Sequence, residues 1–156
     1  MKEKQVIKFL NYNFNQKQES MNLTLKNVKH FEAGSEETPN FVADLYDNGT
    51  HVAEVSNDGR GGSNYVHPVN GGKYESVRKY DNLDVECDIF GMVYDYSAVT
   101  KYQSNCLVMK KGNTLQTVKF NVSIAKLKSS PNNKTWLENE IKDYQKKGFT
   151  IINRNI

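Results

Sequence analysis

Residues 56–68 read SNDGRGGSNYVHP and gather Asp58, Arg60, Ser63, Asn64 and His67 around three glycines. A glycine tract beside a cation is the raw material of a phosphate loop, in which backbone N–H groups cradle phosphate oxygens. That motif needs Gly-Lys-Ser/Thr followed at once by a helix. Here Gly61-Gly62 runs into Ser63-Asn64-Tyr65 with no Lys. A dinucleotide fingerprint needs a parallel βαβ unit, whereas the residues before this loop pattern as an antiparallel hairpin. Both nucleotide motifs therefore fail. What is left is a tight loop leaving a strand, in which Asp58 bonds nearby amides and the glycines let another segment approach closely. Two alternatives stay open: contact with a ligand or partner through Arg60, and an enzyme built on Asp58, Arg60 and His67.

The other reactive side chains form no recognisable constellation. His30, His51 and His67 belong to no H-x-H, H-E-x-x-H or C-x-x-C arrangement, so a metal site would need convergence from distant positions. They read as surface or strand-edge histidines. A nucleophilic Cys87 or Cys106 would need a His beside it. Cys87 sits among Asp84, Glu86 and Asp88, and neighbouring carboxylates raise a thiol pKa, so a core thiol is the better reading. Two cysteines make no disulfide framework. The carboxylates Asp81, Asp84, Glu86, Asp88 and Asp95 lack the spacing of a calcium loop and read as a solvated helix face. The expectation is a non-enzyme, with no catalytic residue, metal or cofactor.

Charge is more informative. The net value is +3, but residues 1–100 hold 10 Lys/Arg against 15 Asp/Glu, a net of −5, and residues 101–156 hold 11 against 3, a net of +8. Such asymmetry points to a charged partner, or to two halves that attract each other within one fold. The candidate partner-binding residues are Lys110, Lys111, Lys119, Lys126, Lys128, Lys142, Lys146 and Lys147, with Arg60 added from the glycine loop. Tyr102, Phe120, Trp136 and Tyr144 are interleaved with them. Clustered cations attract a phosphate backbone or an acidic protein face; a solubilising lysine coat is the plain alternative. No RRM, KH or helix-turn-helix signature is present.

These residues must be positioned by a modest scaffold. A chain of 156 residues is expected to form one domain. No apolar run reaches the 18 residues of a transmembrane helix, and the early VIKFL patch is too short for a signal peptide, so the expected location is the cytoplasm, bacterial or host. Residues 1–20, with Ile7, Leu10 and Phe14 at i, i+3 and i+7, are expected to be a helical appendage to a single α+β domain over 21–156. Leu23, Leu25 and Val28 open a strand. Residues 41–46 and 51–56 flank Asp47-Asn48-Gly49, the pattern of a tight hairpin. Residues 83–98 are expected to be a helix with Leu83, Cys87, Phe90 and Tyr94 on its apolar face. A second hairpin turns at Lys111-Gly112-Asn113, with strands over 106–110 and 114–125. A terminal helix follows, capped by Asn132 or Asn133, presenting Trp136, Leu137, Ile141 and Tyr144, and stopped by Gly148. Residues 149–152 close as a short strand. The fold class is α+β: an antiparallel sheet built from two hairpins plus edge strands, with two or three helices packed on it.

The string EETPNFVADLYDNGTHVAEVSNDGRGGSNY resembles a group of small proteins encoded by phages and prophages of AT-rich bacterial hosts. They share an acidic loop, an ADLY-x-NG hairpin and an NDGRGG loop. The resemblance covers residues 22–66, and the heavy use of Asn and Lys agrees with such an origin. It implies a protein of a mobile element acting as a stoichiometric inhibitor of host defence, an anti-CRISPR-type antagonist. Its partner would be an RNA-guided nuclease, or that nuclease's guide RNA, met through the lysine-rich face. A small nucleic-acid-binding protein with no dedicated protein target is the alternative.

Overall fold

The computed structural model describes Lys2–Glu3 and residues 21–156. Apart from Lys2–Glu3, which form a short strand β1, the helical segment expected over residues 1–20 lies outside the described residues. The chain forms two compact units, Asn15–Tyr96 and Met1–Phe14 with Ser97–Ile156, where the sequence suggests one domain from residue 21 onward. Each unit has its own four-stranded antiparallel sheet.

In the N-terminal unit the strands β2 (Leu23–His30), β3 (Asn40–Asp47), β4 (Thr50–Asp58) and β5 (Tyr65–Pro68) pair in chain order. The β3–β4 hairpin turns on Asn48-Gly49, with φ of 49° and 80°. Both lie in the left-handed region that a two-residue type I′ turn demands, and that Asn and Gly tolerate best. Phe41, Ala43, Leu45, Ala53 and Val55 alternate inward and are fully buried or nearly so. The β2 register shifts between Lys26 and Lys29. This bulge inserts one residue, so the inward set steps from Leu25 to Val28 rather than to Asn27. β5 was not foreseen. It is four residues long, ends in Pro68 and places Val66 against Val55, too short a run to stand out beside the glycines.

Helix α1 spans Leu83–Tyr102. Asn82 caps it, its Oδ1 accepting from the Val85 N–H at 3.1 Å, and Asp84 and Glu86 in the first turn suit the positive end of the helix dipole. The expected helix is present but its face differs. Val85, Ile89, Phe90 and Val93 enter the N-terminal core, with Val77 and Tyr80 from the preceding 3-10 turns, and Leu83 is 72% exposed. Of the expected stripe Phe90 is buried while Leu83 and Tyr94 are exposed; Val85, Ile89 and Val93, four apart, supply the rest of the buried face. Phe41 and Phe90 meet edge to face at 6.3 Å.

In the C-terminal unit, β6 (Cys106–Lys111), β7 (Thr114–Phe120) and β8 (Thr150–Ile151) join β1 in the order β1-β7-β6-β8. Leu107, Met109, Val118 and Phe120 face one core with Ile124, Leu127 and Leu137. Val108 and Leu115 face the other side, with Ala98 and Val99 from the last turns of α1. β7 stops at Phe120, short of the expected 125, because Ser123 caps a new helix, α2 (Ile124–Lys128), by accepting from the Lys126 N–H at 3.2 Å. α3 spans Pro131–Lys146. The expected cap at Asn132 or Asn133 is corrected: Pro131 is the first helical residue, where its missing N–H goes unused, and Ser130 precedes it. The α+β class is as expected, but the single sheet expected to hold both hairpins is corrected: each hairpin lies in its own four-stranded sheet.

Past β8 the chain keeps pairing with β6 through a side chain. Ile152 N–H donates to Val108 O at 2.9 Å. The Asn153 amide then stands in for a peptide: its Oδ1 accepts from Val108 N–H at 2.7 Å and its Nδ2 donates to Cys106 O at 2.8 Å. Asn155 Nδ2 donates to Gln103 O at 2.7 Å and Arg154 to Thr100 Oγ1 at 2.7 Å. Among the described residues no helix is long and apolar enough to cross a membrane.

Candidate functional site

The glycine loop is consumed by its own architecture. Asn57 on β4 is 3% exposed and bonds in four directions. Its Oδ1 accepts from Thr38 Oγ1 at 2.7 Å and from Gly59 N–H at 2.9 Å; its Nδ2 donates to Gly62 O at 2.8 Å and to Asn64 Oδ1 at 3.1 Å. The Gly59 carbonyl in turn accepts from three successive amides, Glu36 and Glu37 at 3.0 Å and Thr38 at 3.4 Å. Consecutive amides converging on one oxygen are the arrangement with which backbone nests hold anions. In this protein the occupant is the glycine loop itself, and the host is the 36–38 segment. Asp58 Oδ1 accepts from Arg60 N–H at 3.1 Å, the local bond expected of it.

The three residues of the enzyme alternative are not gathered. His67 on β5 pairs in register with Glu54 on β4. Asp58 lies four residues further along β4, roughly 13 Å at the rise of an extended strand. The Arg60 side chain is exposed beyond the end of that ladder.

The remaining reactive groups are held by their neighbours. His30 Nε2 sits 3.2 Å from Ser35 Oγ and its ring meets the Tyr94 ring edge-on at 5.7 Å; burial lowers its pKa, with Glu32 opposing. His51 stacks on Tyr46 at 4.9 Å, with Asp44 Oδ1 3.7 Å from its Nε2. Among the described residues no three His, Cys, Asp or Glu side chains are placed to hold a metal ion. Burial raises the Cys87 thiol pKa, helped by Glu86, Asp88 and Asp84. Burial also raises that of Cys106, against Lys119. A raised thiol pKa leaves less thiolate at neutral pH. Timed alkylation read by mass spectrometry is therefore expected to find both cysteines slower than a free peptide thiol at neutral pH. Cys87 should speed up as the pH turns alkaline, and Cys106, 4% exposed in β6, should react only once denaturant is added. Rapid neutral labelling of Cys106 would contradict this.

Charge follows the two units. Residues 1–14 and 97–156 hold 14 Lys/Arg against 4 Asp/Glu, a net of +10; residues 15–96 hold 7 against 14, a net of −7. Residues 96–137 contain seven Lys and no carboxylate at all, a signal present in the sequence that counting by halves dilutes. All eight candidate lysines fall in the C-terminal unit, while Arg60 belongs to the other.

The eight lysines do not share one face. Lys110 and Lys111 are adjacent on β6 and so point to opposite faces. Lys110 lies opposite Thr150 and Leu115, whereas Lys111 Nζ donates to Lys147 O at 2.8 Å. Lys119 pairs with Cys106 at the far end of β6, roughly 17 Å from Lys111 by strand rise. Lys126 and Lys128 are exposed on α2, and Lys128 Nζ donates to Asn155 O at 3.0 Å. Lys142, Lys146 and Lys147 are exposed at the end of α3, Lys146 lying 4.0 Å from Asp143. The structure therefore brings Lys111 together with the end of α3 and leaves Lys110, Lys119 and the α2 pair apart. No family model, no curated protein and no solved structure matches the chain.

Proposed function

We propose that this chain is a binding protein whose cation-rich C-terminal unit docks on an anionic macromolecule, and that it inhibits a host defence nucleoprotein in this way. The observation that carries the reading is the division of charge by unit, +10 against −7. Strands β6 and β7 and helix α2 hold five lysines and no carboxylate, so these elements offer the lysines no counter-charge of their own. The resemblance of residues 22–66 to proteins of phages and prophages supplies the defence context, with an RNA-guided nuclease or its guide RNA as the partner. The same charge favours a second reading, a nucleic-acid-binding protein with no dedicated protein target.

The test is binding of labelled RNA and duplex DNA across a salt series, with capture of host complexes and sequencing of the RNA that comes with them. Four phosphate contacts would weaken binding about 100-fold between about 50 and 200 mM salt. Salt-steep binding together with a captured ribonucleoprotein is the expected result, and salt-steep binding without one selects the second reading. Absence of both overturns the proposal.

A further inference from the structure

The lysines that the fold gathers converge on one end of the C-terminal unit, where β6 runs into its turn and α3 stops. Lys111 Nζ donates to the Lys147 carbonyl, tying the two elements together, and a Cβ added at Gly148 would stand 3.5 Å from Lys111 Cε. Lys142 and Lys146 stand on the last turns of α3 at i and i+4, a spacing that places them side by side. On the opposite, core-facing side of the helix, two positions from each of these lysines, Tyr144 packs edge to face with Phe149 at 6.0 Å. Each ring carries an ammonium of this chain: Lys147 Nζ is 5.2 Å from the Tyr144 centroid and Lys111 Nζ 5.3 Å from that of Phe149.

That last detail decides the ligand class. Proteins that hold single strands stack bases on open aromatic faces. Here the rings are engaged by the chain's own cations and by each other. What the patch presents outward is a set of ammonium groups, compact point charges without the fork that reads base edges or grips a carboxylate in two places.

Resting on the reading of a cation-rich binding unit, we propose that Lys111, Lys142, Lys146 and Lys147 form a sequence-independent contact for the phosphate backbone of duplex nucleic acid. Lys111 and Lys147 set the shape of the patch, and the exposed Lys142 and Lys146 are its outer contacts.

The test uses the full chain and leaves the Lys111–Lys147 tie intact. Binding to a short duplex of fixed sequence, a scrambled duplex and a single strand is measured by fluorescence anisotropy across salt. Each protein's melting curve is recorded to show that it folds. The double variant Lys142→Gln/Lys146→Gln is expected to lower the slope of log K on log salt by about 2, equally for both duplexes. The control Lys126→Gln/Lys128→Gln is expected to leave it within about half a unit. Asp143→Asn removes the carboxylate 4.0 Å from Lys146 and is expected to tighten binding, a gain that a folding defect cannot imitate. An equal loss in both lysine pairs overturns the patch while leaving the cation-rich unit as the binding surface. Tighter binding of the single strand overturns the duplex assignment. No salt-dependent binding by the wild-type chain overturns the parent reading itself.

Discussion

Gly59→Ala is expected to destabilise the N-terminal unit by about 4 kcal/mol, a fall of roughly 15–30 °C in its melting midpoint. Two costs combine. Gly59 sits at φ +84°, where a side chain costs about 1–2 kcal/mol. The added Cβ would also run into the Gly34 carbonyl oxygen and lie 2.9 Å from Asn40 Cβ. Both obstacles belong to the segment on which the loop is docked, so the loop must lift. Lifting it breaks the three bonds to the Gly59 carbonyl, each worth about 1 kcal/mol net. Gly49→Ala is the control, at nearly the same φ, +80°, but with nothing within 4 Å of the new Cβ; it should cost only about 1 kcal/mol. Amide exchange of β3 and β4 under mild denaturant reads both. Equal losses in the two variants would show that backbone conformation alone sets the cost and that the docked loop contributes nothing.

Asn153→Leu is the second large effect, an expected loss of about 2–5 kcal/mol in the C-terminal unit. A leucine of similar size cannot replace the amide, and Val108 N–H and Cys106 O, on residues 0% and 4% exposed, would each be left without a partner at about 1–3 kcal/mol apiece. Asn153→Asp separates shape from chemistry. A carboxylate still accepts from Val108 N–H, yet sets a negative oxygen against the Cys106 carbonyl in place of a donor. It should therefore retain the packing and lose most of the stability. Denaturation followed by the fluorescence of Trp136, which packs edge-on to Phe120 at 5.7 Å in the same unit, checks both. Stability in Asn153→Asp equal to wild type would mean that the amide does not hold the strand.

How far the sequence could be read depended on whether a signal was local. The Asn48-Gly49 turn was readable because its dihedral requirement is met by those two residues alone. α1 was readable as a helix, yet its buried face was not. Leu83 and Val85 are both apolar and near the helix start, and only the location of the sheet decides between them. The β2 bulge was hidden for the same reason: Asn27 at φ +51° looks like any polar strand residue until its ladder partner is known. The division into two units is a long-range outcome: its boundary falls inside α1, whose early turns enter one core and whose last turns enter the other. Lysine-rich composition was evident from the start. The meeting of Lys111 with Lys147 was not, because the two are 36 positions apart and come together only when the end of α3 returns to β6.

The borders of the N-terminal sheet determine what else it can join. On one side β2 is broken by the Asn27 bulge, pinned by Asn27 Nδ2 donating to Asp44 Oδ2 at 2.6 Å, and studded with the exposed Lys26 and Lys29. On the other, β5 offers four residues and closes on a proline. A kinked, charged rim and a stunted one both resist edge-to-edge recruitment of further strands. Such borders disfavour strand-by-strand growth of this sheet into a fibre.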